Sequence, residues 1–221
     1  VDSATISNGP YAPGSNPFLA NSFVVEYDFP LSAIIKVASG TSNGQLYEVY
    51  RSDSVLTYSQ AQTFAKDVLG TSLVSIWDAA ENAFISSLIT DPSLWRDSNS
   101  PPCNYIGPYI GLSQISGTNE PEGGWFWADG SPLNGYSHWF SNQPDNYNGD
   151  NVGVFYNGLS RAMPNSQWGD VLDSPTISTG PYSPGPNPFL ATSFVVSYPT
   201  PAVPVPLPLL GALTALRCSR Q

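Results

Sequence analysis

Along residues 57–70, TYSQAQTFAKDVLG, apolar side chains return at Ala61, Phe64, Ala65, Val68 and Leu69, the spacing of one helix face. Thr57 stands at the N-cap with Gln60 three positions on, as in a capping box, and Gly70 stops the helix. A second helix is predicted over 78–89, DAAENAFISSLI, opened by Asp78 and Glu81, with Phe84, Ile85, Leu88 and Ile89 on its apolar face. Elsewhere the pattern shortens to alternation or to brief apolar runs. QLYEVY (45–50), SLVSI (72–76), YIGLSQ (109–114), VGVFY (152–156), QWGD (167–170) and SFVVSY (193–198) are predicted strands. Two helices come early, and short strands with long loops come later. This order predicts an α+β domain with a small, mostly antiparallel sheet. From about 115 to 151 a long polar stretch breaks the pattern, and such a loop is where function is expected.

The strand SFVVSY closes a repeated segment. Residues 2–27, DSATISNGPYAPGSNPFLANSFVVEY, align without a gap to 173–198, DSPTISTGPYSPGPNPFLATSFVVSY, with 20 of 26 positions identical. An offset of 171 residues is too long for a solenoid and fits a tandem array of domains. The chain is therefore divided into a C-terminal remnant of a preceding copy (1–27), a linker (28–44), one full domain (45–198) and a tail (199–221). It opens on VDSATIS without an initiator Met or a signal peptide, and is expected to be a fragment of a longer product or a processed form. Four prolines between Pro181 and Pro188 predict loop for the first part of the repeat.

Composition removes several classes of function. The formal charge is −10 and only seven Lys and Arg are present, so nucleic acid and anionic membrane are not expected partners. Cys103 and Cys218 are the only cysteines, too few for a disulfide framework or a Cys/His zinc site. His138, the single histidine, lies among aromatics in GYSHWF, where a packed or surface role is expected. No nucleophile–base pair is visible, and an enzyme is not expected. Low Lys with many Asn, Ser, Thr and Gly points to an extracellular protein. The loop NQPDNYNGDN (142–151) then stands out for its density of amide and carboxylate oxygens.

Taken in order, these stretches resemble the C-type lectin-like domain in its bacterial, cystine-poor form. TYSQAQTFAKDVLGTSLVSI is similar to the family's first helix and following strand, and ENAFI to the start of its second helix. YIGL stands for the WIGL-like strand, and EGGWFWADGSPL for the Glu-Gly and Trp-x-Trp-x-Asp-Gly stretch. QPD (143–145) matches the sugar-site tripeptide, WGD (168–170) the Trp-Asn-Asp motif with one change, and SFVVSY the closing strand. The resemblance implies a C-type lectin-like fold without the usual disulfides, since Val152 and Gly153 lie where a cysteine commonly falls. Trp125, Trp127, Trp139 and Trp168 are then expected as core anchors.

The resemblance also implies a Ca2+ site held by Gln143, Asp145, Asp150 and Asp170, with a cis peptide before Pro144. Two vicinal hydroxyls of a glycan would complete the shell, and the glycan would be contacted by Gln143, Asp145, Tyr147, Asp150 and Asn151. In this family the Gln-Pro-Asp order goes with galactose-type sugars, because swapping amide donor and carboxylate acceptor reverses which hydroxyl donates where. Gly169 departs from the family's Asn and offers no side chain, which leaves a weakened site, a water in its place, or Asn151 or Asn146 as candidate substitutes. The alternative function is a calcium-independent protein-interaction or structural module on the same fold. At the other end, TPAVPVPLPLLGALTALRCSRQ resembles a PEP-CTERM-like sorting tail of the Val-Pro-Leu-Pro kind. That resemblance implies export and cell-surface anchoring; the apolar run Val205–Leu216 is too short for a stable transmembrane span.

Overall fold

The structure is a computed structural model describing residues 34–98, 105–115, 117, 119–157 and 165–199. The first repeat copy, the tail beyond Pro199, Cys103 and Cys218 lie outside these residues. Eleven strands and two helices follow in the order β1 (Ile34–Ser42), β2 (Gln45–Leu56), α1 (Tyr58–Asp67), β3 (Ser72–Leu73), α2 (Ala79–Leu88), β4 (Arg96–Asp97), β5 (Tyr105–Gln114), β6 (Trp125–Trp127), β7 (Val152–Asn157), β8 (Trp168–Val171), β9 (Thr176–Ile177), β10 (Gly185–Pro186) and β11 (Ala191–Pro199). The main sheet runs β1-β2-β11-β5-β7-β8, with β3 on β11 and β4 and β6 on β5. All pairings are antiparallel except β11 with β5. This is the α+β class expected: two helices, a mostly antiparallel sheet and a long irregular stretch between β6 and β7.

Alternation along the strands explains why both sheet faces are buried. On β11, Phe194 and Val196 join one apolar cluster and Val195 the other; on β7, Val154 and Tyr156 oppose Phe155 in the same way. One cluster includes Phe64 and Ala65 of α1, and the other Ile85 of α2. Each helix therefore covers one face. Both caps work, in different ways. Thr57 Oγ1 accepts from Gln60 N and Gln60 Oε1 accepts from Thr57 N, closing the box. Asp78 Oδ1 accepts from Glu81 N, but Glu81 Oε2 reaches back to Trp77 N at 2.7 Å. Trp125, Trp127 and Trp168 are buried, while Trp139 is half-buried against Trp125 and Trp168. Trp168 Nε1 donates to Asn82 Oδ1 at 2.9 Å. His138 is structural: its carbonyl accepts from Trp168 N, and its Nδ1 is 3.2 Å from the Tyr136 hydroxyl oxygen.

One boundary differs from the sequence reading. Residues 34–44, placed in the linker, form β1 and a tight turn into β2. Asn43 and Gly44 take φ of 48° and 74°, the backbone of a two-residue hairpin, for which Asn-Gly is a strong signal. The signal is masked because β1 is a half-exposed edge strand with a bulge between Lys36 and Ala38, so its apolar residues do not alternate. Close packing requires Gly40: a Cβ there would come 2.9 Å from Phe84 Cζ. β1 thus covers Phe84 and the outer side of α2.

Candidate functional site

The site forms where β7 and β8 pair, Gly153 opposite Asp170, because this register carries the loop before β7 to the Trp-Gly-Asp strand. The loop is clasped there by backbone bonds. Asp170 Oδ1 and Oδ2 accept from Asp145 N (3.1 Å) and Asn146 N (3.0 Å), and Asp170 N donates to Gln143 Oε1 at 2.9 Å. Tyr147 N donates to Asp145 Oδ1 at 3.0 Å. The Gln143–Pro144 peptide is cis. Asn142, Asn146 and Asn148 take positive φ, a region that Asn tolerates better than most side chains.

This winding brings Asp145, Asp150 and Asp170 together, each offering an oxygen within 4.8 Å of the others. Asp145 is exposed, but Asp150 and Asp170 are only 6% and 3% exposed. No hydrogen bond to the Asp150 carboxylate is formed among the described residues. Burial, aided by the charges of Asp170 and Asp145, pushes the Asp150 carboxyl up to about 9. Burial also lifts Asp170 to about 6, against the pull of the Asp145 and Asn146 N–H groups. A buried carboxylate without a partner is costly, and protons or a cation must neutralise it. The donor set fits a hard cation, which takes six to eight oxygens. Asp150 brings two uncommitted oxygens. Asp145, Asp170 and Gln143 retain lone pairs beside their hydrogen bonds.

The carboxylates line a cavity of about 310 Å³, shared with Gln143, Tyr147, Tyr156, Val171, Pro181, Tyr182 and Phe189. The four residues expected at the metal and Tyr147 therefore all meet at one place. Asn151 does not line it; its Oδ1 accepts from Asp173 N at 2.9 Å, which fixes the turn after β8. Asn151, expected at the sugar and as a stand-in for the family's ligating Asn, is thus placed beside the cavity with its amide oxygen engaged by Asp173 N. Asn146 likewise does not line the cavity; its backbone N–H is what reaches Asp170.

Gly169 has a cause that the sequence did not reveal. A Cβ at 169 would lie 2.6 Å from Tyr156 Cγ, so the Tyr156 ring occupies the space a side chain would need. Tyr156 was expected only as a strand residue, and Pro181, Tyr182 and Phe189 only as loop. For Pro181, Tyr182 and Phe189 the one signal was the repeat, in which Pro10, Tyr11 and Phe18 stand at the matching positions.

No family model matches the chain. By sequence it is similar to a perlucin-like protein of Mytilus galloprovincialis, 29% identical over 104 residues, which are 47% of this chain and 55% of that protein. It is also similar to C-type mannose receptor 2 of Homo sapiens, 37% identical over 87 residues, 38% of this chain and 5% of the receptor. The chain thus spans about half the length of the first relative and a small part of the second. Among solved structures, the cow C-type carbohydrate-recognition domain of CD23, crystallised in the presence of GlcNAc2Man3 oligosaccharide, aligns with a TM-score of 0.47 at 20% identity. That alignment covers 73% of this chain and 92% of the CD23 domain. The sequence relatives support the C-type lectin-like fold inferred from motif order. Neither is named for an enzymatic activity. No helix among the described residues is long and apolar enough to cross a membrane.

Proposed function

We propose that this domain is a calcium-dependent carbohydrate-binding module of an exported, tandem-repeat protein. The observation that carries the proposal is Asp150: a carboxylate 6% exposed, facing two others and given no donor among the described residues. Ca2+ would be held by Asp145, Asp150, Asp170 and the amide oxygen of Gln143. It would supply positive charge and open coordination positions for vicinal hydroxyls. Gln143 turns its amide oxygen to Asp170 N, which leaves Nε2 as a donor, while Asp145 remains an acceptor. That arrangement favours the galactose-type reading. Tyr147, 39% exposed at the cavity edge, offers a flat ring to the sugar.

A single site of this kind binds a monosaccharide with on the order of millimolar affinity, and tandem copies raise the effective strength. Surface retention through the C-terminal tail belongs to the same proposal. One observation favours the second reading, a calcium-independent interaction module: the Tyr156 ring fills the space where the resemblance puts a ligating Asn. Calorimetric titration of calcium into the chain, then of methyl β-galactoside, separates the two. One-site heat that disappears in Asp150→Ala supports the first reading. No calcium heat and no thermal shift at millimolar calcium supports the second.

A further inference from the structure

The segment between β8 and β11 is built, not merely connected. Asn187 is buried and ties its two ends together: Nδ2 donates to Leu172 O (3.0 Å) and Ser174 O (2.9 Å), and Oδ1 accepts from Phe189 N (2.9 Å). The two-residue strands β9 and β10 pair across it. Arg96 donates to Pro188 O (2.6 Å) and Leu190 O (3.0 Å), anchoring the end that enters β11. The far end meets the oxygen-rich loop, where Thr179 Oγ1 lies 3.5 Å from Asn148 Oδ1. Held in this way, Tyr182 and Phe189 pack edge to face, with centroids 5.6 Å apart at 84°, and both line the carboxylate cavity. One part of the cavity wall is therefore acidic and another aromatic, within a volume at the low end of small-molecule sites.

We infer that residues 173–190 form the specificity wall of the site, with Tyr182 stacking on the apolar face of a terminal hexose whose hydroxyls meet the carboxylate side. The inference rests on the sugar-binding reading above. A pyranose is itself two-sided, with hydroxyls at its rim and C–H groups on its face, and a site with one polar and one aromatic wall matches it. Phe189 backs Tyr182 and holds its ring in place. The same wall is written twice in the sequence: Tyr11, Asn16 and Phe18 stand where Tyr182, Asn187 and Phe189 recur 171 positions later. The repeated segment thus adds an aromatic contact to the choice of hydroxyls made by Gln143 and Asp145 in the acidic loop.

The test uses the full chain with Tyr182→Ala and Tyr182→Trp, calcium followed by calorimetry and methyl β-galactoside by saturation-transfer NMR. The expected result is unchanged calcium affinity in both variants, roughly tenfold weaker galactoside binding in Tyr182→Ala, and near-parental binding in Tyr182→Trp. Thermal melting confirms that both variants are folded. Should Tyr182→Ala misfold, Tyr182→Leu, apolar but not flat, takes its place with the same expectation. Parental galactoside affinity in the variant lacking the ring overturns the wall while leaving the calcium and sugar reading intact. Calcium binding without galactoside binding in the parent, or neither, overturns the sugar reading and the wall with it.

Discussion

Glu48 and Asp150 are about equally shielded at the surface, 7% and 6% exposed, yet the fold treats them in opposite ways. Glu48 sits on β2 under the β1 hairpin. Lys36 Nζ donates to its Oε1 at 2.8 Å and the Tyr50 hydroxyl to its Oε2 at 2.7 Å. Burial pushes the Glu48 carboxyl up, but these donors outweigh it and hold the group below the usual range. Asp150 is as little exposed but lies deeper in the protein, beside two more carboxylates and with no donor among the described residues. A buried acid that the chain satisfies by itself is a strut. One that the chain leaves open is a socket, whose partner comes from solution.

The largest effect that would break this comparison is loss of the ion. Asp150→Asn is expected to weaken calcium at least about 100-fold by calorimetry, and Glu48→Gln to leave it unchanged. Next comes stabilisation. Calcium at a hundred times its dissociation constant should add about 2.7 kcal/mol to unfolding in denaturant, and nothing in Asp170→Asn. The isosteric swaps should then differ in sign in EDTA at pH 7. Glu48→Gln is expected to cost about 1.5–3 kcal/mol by losing charged hydrogen bonds. Asp150→Asn is expected to stabilise by about 1 kcal/mol, because folding at pH 7 makes Asp150 take up a proton that the amide does not need. If both swaps destabilise, the distinction between strut and socket is wrong.

The smallest effect is a slope with pH. The folded carboxyl of Asp150 stands at about 9. Its unfolded value is about 4, so between the two the folded state holds a proton the unfolded chain has released. Calcium-free stability should fall as pH rises through that window, by no more than about 1.4 kcal/mol per unit. Saturating calcium should flatten the slope by displacing the proton. Glu48 runs the other way: its contribution is present above its unfolded value and is lost as pH falls through the lower folded one. Urea midpoints across pH, with and without calcium, measure both limbs.

Much of this was legible in the sequence, for identifiable reasons. The helices carried their own caps, and Thr57 with Gln60 closes as the spacing predicts. The core strands alternate because both sheet faces are covered. The residues of the candidate site were singled out by a resemblance, and the structure gathers Gln143, Asp145, Tyr147, Asp150 and Asp170 around one cavity. What stayed hidden depends on contacts distant in sequence. Strand β1 is half-exposed and shows no period. Gly169 reads as a loss until Tyr156, on the neighbouring strand, is seen filling its space. Tyr182 lies in a proline-rich stretch whose composition says loop and says nothing of what the loop faces.

The place of β11 has a consequence for how the domain is made. It is the last of the described strands in the chain, yet it sits in the middle of the sheet, between β2 and β5. A ribosome adds about 5–20 residues each second. For the seconds between the emergence of β8 and of β11, β2 and β5 wait with unpaired edges. SFVVEY, so close to the strand they await, has by then long been synthesised. The tandem array proposed above would therefore have to win a race of timing as well as of energy: each sheet would have to stay open for its own closing strand and refuse the near-identical one made before it.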